Sequence, residues 1–342
     1  MSDKGSTRSA GRREWRFAPA RMGRCCQLGA MAVLLSLAAA SASAAPWPER
    51  PIRFLVGFAP GGSGDIIARL LAQRLMLSMG QPIVVENRLG AGGAIAAEAA
   101  VRAPADGYTW VILPSGHATQ GAMLKSLPFD PVRDFAWIST VTTYPLTFAV
   151  SPESRFSSLT ELIREARRSP GRLTYSSVGM GTAHHLVGEW VNAEAGIELV
   201  HVPFKGGTAA LTETMAGRID LMIETITLTL PYLRAGKLRG IGVTSQRPVD
   251  TLPLLPAVAD TLPGLVFESW QGIAATPGTK PEIISRINAE LRAALALPEV
   301  QRQLADLGGG TVPSTPDEFR ARVERDITRF RQIVDSRGIE RQ

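Results

Sequence analysis

Three short stretches of the chain have the composition needed to hold an anion on the backbone: Phe58-Ala59-Pro60-Gly61-Gly62, Ser177-Val178-Gly179-Met180-Gly181-Thr182 and Pro203-Phe204-Lys205-Gly206-Gly207. Each lies between a short apolar run and a stretch with helical spacing. Glycines in that position let the backbone come close to a ligand, with free N–H groups and the positive end of the helix dipole behind them. A side chain at Gly62 is expected to block that approach or to force a disfavoured backbone angle. One such loop alone reads as an ordinary strand-to-helix turn. Its recurrence at corresponding places favours the anion.

A carboxylate can be held there by amides and ordered water, without an arginine clamp. Gly61 and Gly62 supply one side, with Phe58 and Ala59 lining it. Ser177, Gly179 and Thr182 supply the other, and Gly207 with Thr208 repeats the arrangement at the next helix start. Asp65 is open to two readings: a hydrogen bond to a ligand hydroxyl or amine, or a first-turn acid complementing the helix dipole. Lys205 reads as a solvated loop charge. Ser177 follows a strand and precedes a helix, as a nucleophile would, but Gly-x-Ser-x-Gly needs glycine where Tyr175 stands. There is no phosphate-binding Walker loop, and the nearest Gly-x-Gly-x-x-Gly is broken by His184. His184 and His185 point about 100° apart on a helix, a poor metal pair. No catalytic residue, metal or cofactor is assigned.

These loops need strands and helices to position them. Strands are expected at Pro51–Gly57, Pro82–Glu86 and Tyr108–Leu113, with helices about Gly64–Met79 and Gly93–Arg102, a βαβαβ pattern implying a parallel sheet. Ile67, Leu70, Leu71 and Leu75 mark one face of the first helix. After Pro128-Phe129-Asp130-Pro131, the apolar run Leu146–Val150 crosses to a second unit. The pattern then recurs: strands at Leu173–Ser176, Glu198–Val202, Ile219–Ile223 and Leu238–Thr244, with helices between. Ser158-x-x-Glu161, Thr279-x-x-Glu282 and Thr315-Pro316-Asp317-Glu318 read as capping boxes, and Val266–Ala274 returns the chain to the first unit. The expected division is residues 45–145 and 251–342 in one lobe and 146–250 in the other, a clamshell with glycine loops facing across the cleft.

The first 44 residues are set apart. Residues 1–24 carry seven basic side chains against Asp3 and Glu14, the run Leu28–Ala40 is apolar, and Ala42-Ser43-Ala44 is a small-x-small cleavage site. This is the organisation of a secretory signal, and the apolar run is too short to span a bilayer. Much of the formal charge of +6 belongs to it. The remainder is near neutral, which argues against a nucleic-acid or membrane-binding patch. Both cysteines, Cys25 and Cys26, also precede the cleavage site, so the expected mature protein is thiol-free and periplasmic.

The chain resembles the substrate-binding proteins of tripartite tricarboxylate transporters, the Bug family of periplasmic receptors. The resemblance rests on Trp47-Pro48-x-Arg50-Pro51-Ile52, Phe58-x-Pro60-Gly61-Gly62-x-x-Asp65 and Val84-Val85-Glu86-Asn87-Arg88-x-Gly90-Ala91-Gly92-Gly93. It continues through Pro104-Ala105-Asp106-Gly107-Tyr108-Thr109, Ser177-x-Gly179-x-Gly181-Thr182 with His185-Leu186, Val202-Pro203-Phe204-Lys205-Gly206-Gly207 and Ala235-Gly236-Lys237-Leu238-Arg239. It implies an α/β, two-lobed periplasmic binding protein, each lobe a βαβ-type sheet with flanking helices. It further implies a monomeric receptor, not an enzyme, that closes on a small carboxylate and delivers it to membrane permease subunits. His185 matches a family position, and Glu224 stands where the family often carries another acid. Phe204 replaces a frequent tyrosine and loses any hydroxyl contact there. A sensor that presents its closed form to a signalling partner would have the same clamshell.

Overall fold

The computed structural model describes residues 47–342, with Met1, Ser2, Gly5 and Glu14 besides. Apart from those four, the expected signal segment, its cleavage site and Cys25-Cys26 lie outside the described residues. Pro48–Gln342 holds together as one compact unit, built on two sheets that share a strand.

The first sheet begins as the βαβαβ pattern predicts. β1 (Ile52–Val56) lies between β2 (Ile83–Asn87) and β3 (Thr109–Pro114), all parallel, with Phe54 opposite Val85 on one side and Trp110 on the other. The connecting helices are α1 (Ser63–Met79) and α2 (Ala94–Val101), and α3 (Gly116–Met123) follows β3. Ile67, Leu71 and Leu75 of α1 are buried as their spacing predicts, each such side chain contributing about 1.5–3 kcal/mol. Beyond β3 the sheet turns antiparallel, through β9 (Glu268–Ala275) and then Ala136–Pro145 of β4 (Ala136–Val150).

From Leu146 onward β4 changes partners. Leu146–Ala149 pairs antiparallel with β7 (Leu221–Thr225), and Thr147–Val150 with β8 (Arg239–Val243). β5 (Thr174–Ser177) and β6 (Val200–Pro203) extend this second sheet in parallel from β7. Its helices are α4 (Leu159–Arg168), α5 (Ala183–Ala195), α6 (Gly207–Met215) and α7 (Ile226–Arg234). The chain returns to β9 past Thr244. The Thr244 hydroxyl donates to the Phe267 carbonyl at 2.6 Å and accepts the Leu146 amide at 2.9 Å, tying the two crossing segments together. The last segment is α8 (Pro281–Ala296), α9 (Pro298–Asp306), the short β10 (Gly310–Thr311) against β4, and α10 (Pro316–Ser336).

Three elements depart from the sequence expectation. β4 starts at Ala136, well before Leu146, because Ser139, Thr140 and Thr142 break the apolar signal yet are buried. Two of the hydroxyls are satisfied within the fold: Ser139 Oγ shares its proton between the Thr140 and Ser314 carbonyls, and Thr142 Oγ1 donates to that of Gly310. The stretch after Pro114, to which the sequence reading assigns no element, is helix α3, whose two glycines and threonine hide an inward face of Ala118, Ala122 and Met123. Thr279 does not cap α8; its hydroxyl donates to the Thr276 carbonyl, and the helix starts at Pro281 behind Lys280. The box at Thr315 and Glu318 is formed in full, whereas Ser158 accepts the Glu161 amide but Glu161 bonds Ser157.

Candidate functional site

Five helix N-termini meet at one cavity between the carboxyl ends of the strands. Its wall contains Gly62 and Ser63 of α1, Gly116 of α3, Thr182 and Ala183 of α5, Gly207 of α6, and Thr225 ahead of α7. At four of these starts (Gly62, Ser115, Gly206 and Thr225) no side chain caps the helix. Their first-turn amides and dipoles therefore face the cavity without a side-chain acceptor, the arrangement that attracts an anion. The free volume is about 30 Å³, room for about two water molecules.

The expected residues divide into two sets. Phe58, Gly62, Thr182, Gly207 and Glu224 all line this cavity. Ala59, Gly61, Asp65, Ser177, Gly179, His185 and Thr208 are not in its wall. Ala59 sits against Gly206, where a Cβ on that glycine would come 3.1 Å from the Ala59 methyl. Thr208 is exposed, its carbonyl accepting from Thr212. Ser177 is buried, its hydroxyl 2.6 Å from His201 Nε2 and accepting the Gly179 amide. His185 stacks on His201 with ring centroids 4.1 Å apart and accepts the Gly181 amide at Nδ1. The left-handed backbone of the first glycine loop falls at Gly61 (φ 77°), whereas Gly62 is extended (φ −76°, ψ 164°).

Asp65 is occupied with building that loop. It accepts from the Gly61 amide at 3.0 Å, from Asn87 at 2.9 Å and from Arg69 at 3.0 Å on both oxygens. Burial opposes its ionisation, but the hydrogen bonds from Arg69, Gly61 and Asn87 outweigh this and hold the carboxyl below the usual range. Asn87 also donates to the Phe58 carbonyl, so the same cluster braces both ends of the turn. Asp65→Asn is expected to lower stability by about 1–3 kcal/mol, read as a fall in Tm, while ligand affinity stays near that of the parent. A large loss of affinity at unchanged Tm would mean that Asp65 meets the ligand.

Among the wall residues that the sequence does not mark as ligand contacts are Tyr144, His184 and Gln271. Gln271 donates through Nε2 to the Tyr144 hydroxyl at 2.8 Å. Burial pushes the Tyr144 phenol up to about 12, against hydrogen bonds from Ser63, Gln271 and Ser269, so it stays neutral at ordinary pH. His184 turns toward the cavity, its Nε2 3.1 Å from Glu224 Oε1. That oxygen also accepts the Thr225 amide at 2.7 Å and the Thr225 hydroxyl at 3.0 Å. Glu224 Oε2, His184 Nδ1 and Gln271 Oε1 are buried with no hydrogen-bond partner among the described residues. In sequence, Gln271 was visible only as an amide inside the apolar run Val266–Ala274.

No group of three or more metal-ligating side chains is found among the described residues, and no described helix is long and apolar enough to cross a membrane.

Residues 67–339 match the family described as "Tripartite tricarboxylate transporter family receptor". The chain belongs to this family. Among the receptor's relatives is the UPF0065 protein of the tcbD-tcbE intergenic region of a Pseudomonas species. It is 36% identical over 290 residues, which cover 84% of this chain and 86% of the relative. BugT of Bordetella pertussis is 33% identical, covering 88% of this chain and 93% of its own. Among solved structures, an R. palustris protein with adipate has a TM-score of 0.83 at 32% identity, covering 86% of this chain and 99% of its own. MatC from Rhodopseudomonas palustris with bound malate has a TM-score of 0.81 at 28% identity, covering 84% of this chain and 100% of its own. The receptor therefore has the two-lobed α/β fold of periplasmic binding proteins, and its family is one of solute receptors rather than enzymes.

Proposed function

We propose that the protein is an exported, monomeric receptor that binds a small carboxylated metabolite in the cavity between its two sheets and hands it to a membrane permease of the tripartite tricarboxylate type. The observation that carries this reading is the convergence of five helix starts, four without a side-chain cap, on a buried cavity. Adipate and malate in related structures are carboxylates of the expected size class. The ligand carboxylate takes the amides about Gly62, Gly116 and Thr182, and Phe58 supplies apolar contact. One lobe consists of residues 45–145 and 251–342 and the other of 146–250, with the signal removed near Ala44. The cavity volume of about 30 Å³ is well below that of a usual ligand pocket, so ligand entry requires the lobes to separate.

A thermal-shift screen of the purified receptor against mono-, di- and tricarboxylates tests the reading. A ligand present at 100 times its Kd is expected to stabilise the protein by about 2.7 kcal/mol. A panel of carboxylates that leaves Tm unmoved, while another class of solute raises it, would reject carboxylate recognition.

A further inference from the structure

Glu224 puts an acid in the wall of a cavity whose other features attract anions. Its side chain is buried, with 4% exposure, in a cavity whose helix starts favour negative ligands. A buried carboxylate is tolerated only when both oxygens are supplied with donors. Here the supply is lopsided. Oε1 receives the Thr225 amide, the Thr225 hydroxyl and His184 Nε2, whereas Oε2 receives nothing among the described residues. Gly207 is what admits it, because a Cβ at that position would lie 2.3 Å from Oε2.

The rest of this part of the wall has the same character. Gln271 spends its amide N–H on Tyr144 and leaves Oε1 free. His184 Nδ1 is likewise buried without a hydrogen-bond partner among the described residues. One region of the cavity thus presents amide donors, and another presents unfilled acceptors. A ligand with only carboxylates would satisfy the first and bring like charge to the second.

We propose that Glu224 Oε2, together with Gln271 Oε1, forms a donor-reading subsite, so that the ligand carries an ammonium or hydroxyl group beside its carboxylate. The ligand class is α-amino or α-hydroxy acids rather than bare acids. His184 and Thr225 are positioning residues, holding the Glu224 carboxylate with Oε2 turned inward. The inference rests on the carboxylate-receptor reading above and narrows it.

Calorimetry with matched sets tests it: succinate, malate and aspartate; adipate with its α-hydroxy and α-amino forms; phenylacetate, mandelate and phenylglycine. In the set that binds, the hydroxy or amino member is expected to bind roughly tenfold to a hundredfold tighter than the bare acid. Glu224→Gln keeps the shape and can still accept from Thr225; it should remove most of that margin, read as the ratio of affinities within one set. Glu224→Asp, which retracts the charge, should narrow the margin as well, with circular dichroism confirming that both variants are folded. A bare acid that equals its substituted partners, or a margin unchanged in Glu224→Gln, overturns the subsite and leaves the carboxylate receptor standing. Binding of putrescine with no acid bound would do the reverse, retaining the subsite and ending the carboxylate reading.

Discussion

Gly207→Val should eliminate ligand binding in a receptor that still folds. The first atom of the new side chain would fall 2.3 Å from Glu224 Oε2 and 2.4 Å from Leu228 Cδ2, closer than any stable contact. Glu224 cannot swing aside cheaply, since Oε1 is held by Thr225 and His184. Either the carboxylate is driven across the remaining space, about 30 Å³, or α6 shifts and carries its N-terminus away from the cavity. Gly207 does not have a positive φ, so the substitution adds no backbone strain of its own. Overpacking of this kind costs about 1–3 kcal/mol of stability, against about 5–15 kcal/mol for a typical domain. Affinity should drop beyond what calorimetry can read, with the circular dichroism spectrum retained. A folded Gly207→Val protein that binds its carboxylate with parental Kd would falsify the placement of the site beside α6.

Mild acid should destabilise the receptor before its carboxylates begin to titrate. Burial pushes His117 down to about 4, pushes His185 down to about 3 with the neighbouring His201 adding to the shift, and pushes His201 down to about 4. In the unfolded chain all three return to about 6.5. Above that pH each ring is neutral in both states, and the contribution to stability is fully present. As pH falls below 6.5, the unfolded chain gains protons that the folded chain refuses, so stability declines until the folded values near 4 and 3 are reached. His117 and His185 are each 3% exposed, and each is expected to cost about 2 kcal/mol by pH 5. His201, partly open to solvent, costs less. Asp65, held below the usual carboxyl range, loses its contribution only at still lower pH, so it does not offset the trend. Urea titrations between pH 7.5 and 5 should show a steady fall in midpoint with net proton uptake on unfolding. A midpoint independent of pH over that range would show that the histidines charge freely in the folded protein.

The sequence makes the supporting scaffold legible and the site only partly so, for a physical reason. β1, α1 and β2 announce themselves because burial on one face produces periodicity, as at Ile67, Leu71 and Leu75. The glycine loops are readable because close approach demands glycine, and all three reach the cavity, through Gly62, Thr182 and Gly207. Which neighbour faces inward is set by packing across the sheets. His184 and His185 are adjacent and chemically identical, yet one turns to Glu224 and the other to His201. Asp65 was open to two readings because a first-turn acid looks the same whether it awaits a ligand or braces a loop. Its bonds to Gly61, Arg69 and Asn87 are visible only in three dimensions. Tyr144 and Gln271 come from strands shared between distant parts of the chain, and no local spacing connects residues that far apart.

The change of partners within β4 bears on how much work articulation requires. Pro145 is the last residue paired to β9, and Leu146 the first paired to β7. Proline contributes no N–H to a ladder, and the Leu146 amide rests on a threonine hydroxyl rather than on a neighbouring strand. A rotation of one sheet against the other about this point loads the bonds at Thr244, whose hydroxyl and backbone join Leu146 to Phe267. Resistance to opening is thus shared between one residue at the crossing, Thr244, and the surfaces that meet around the cavity.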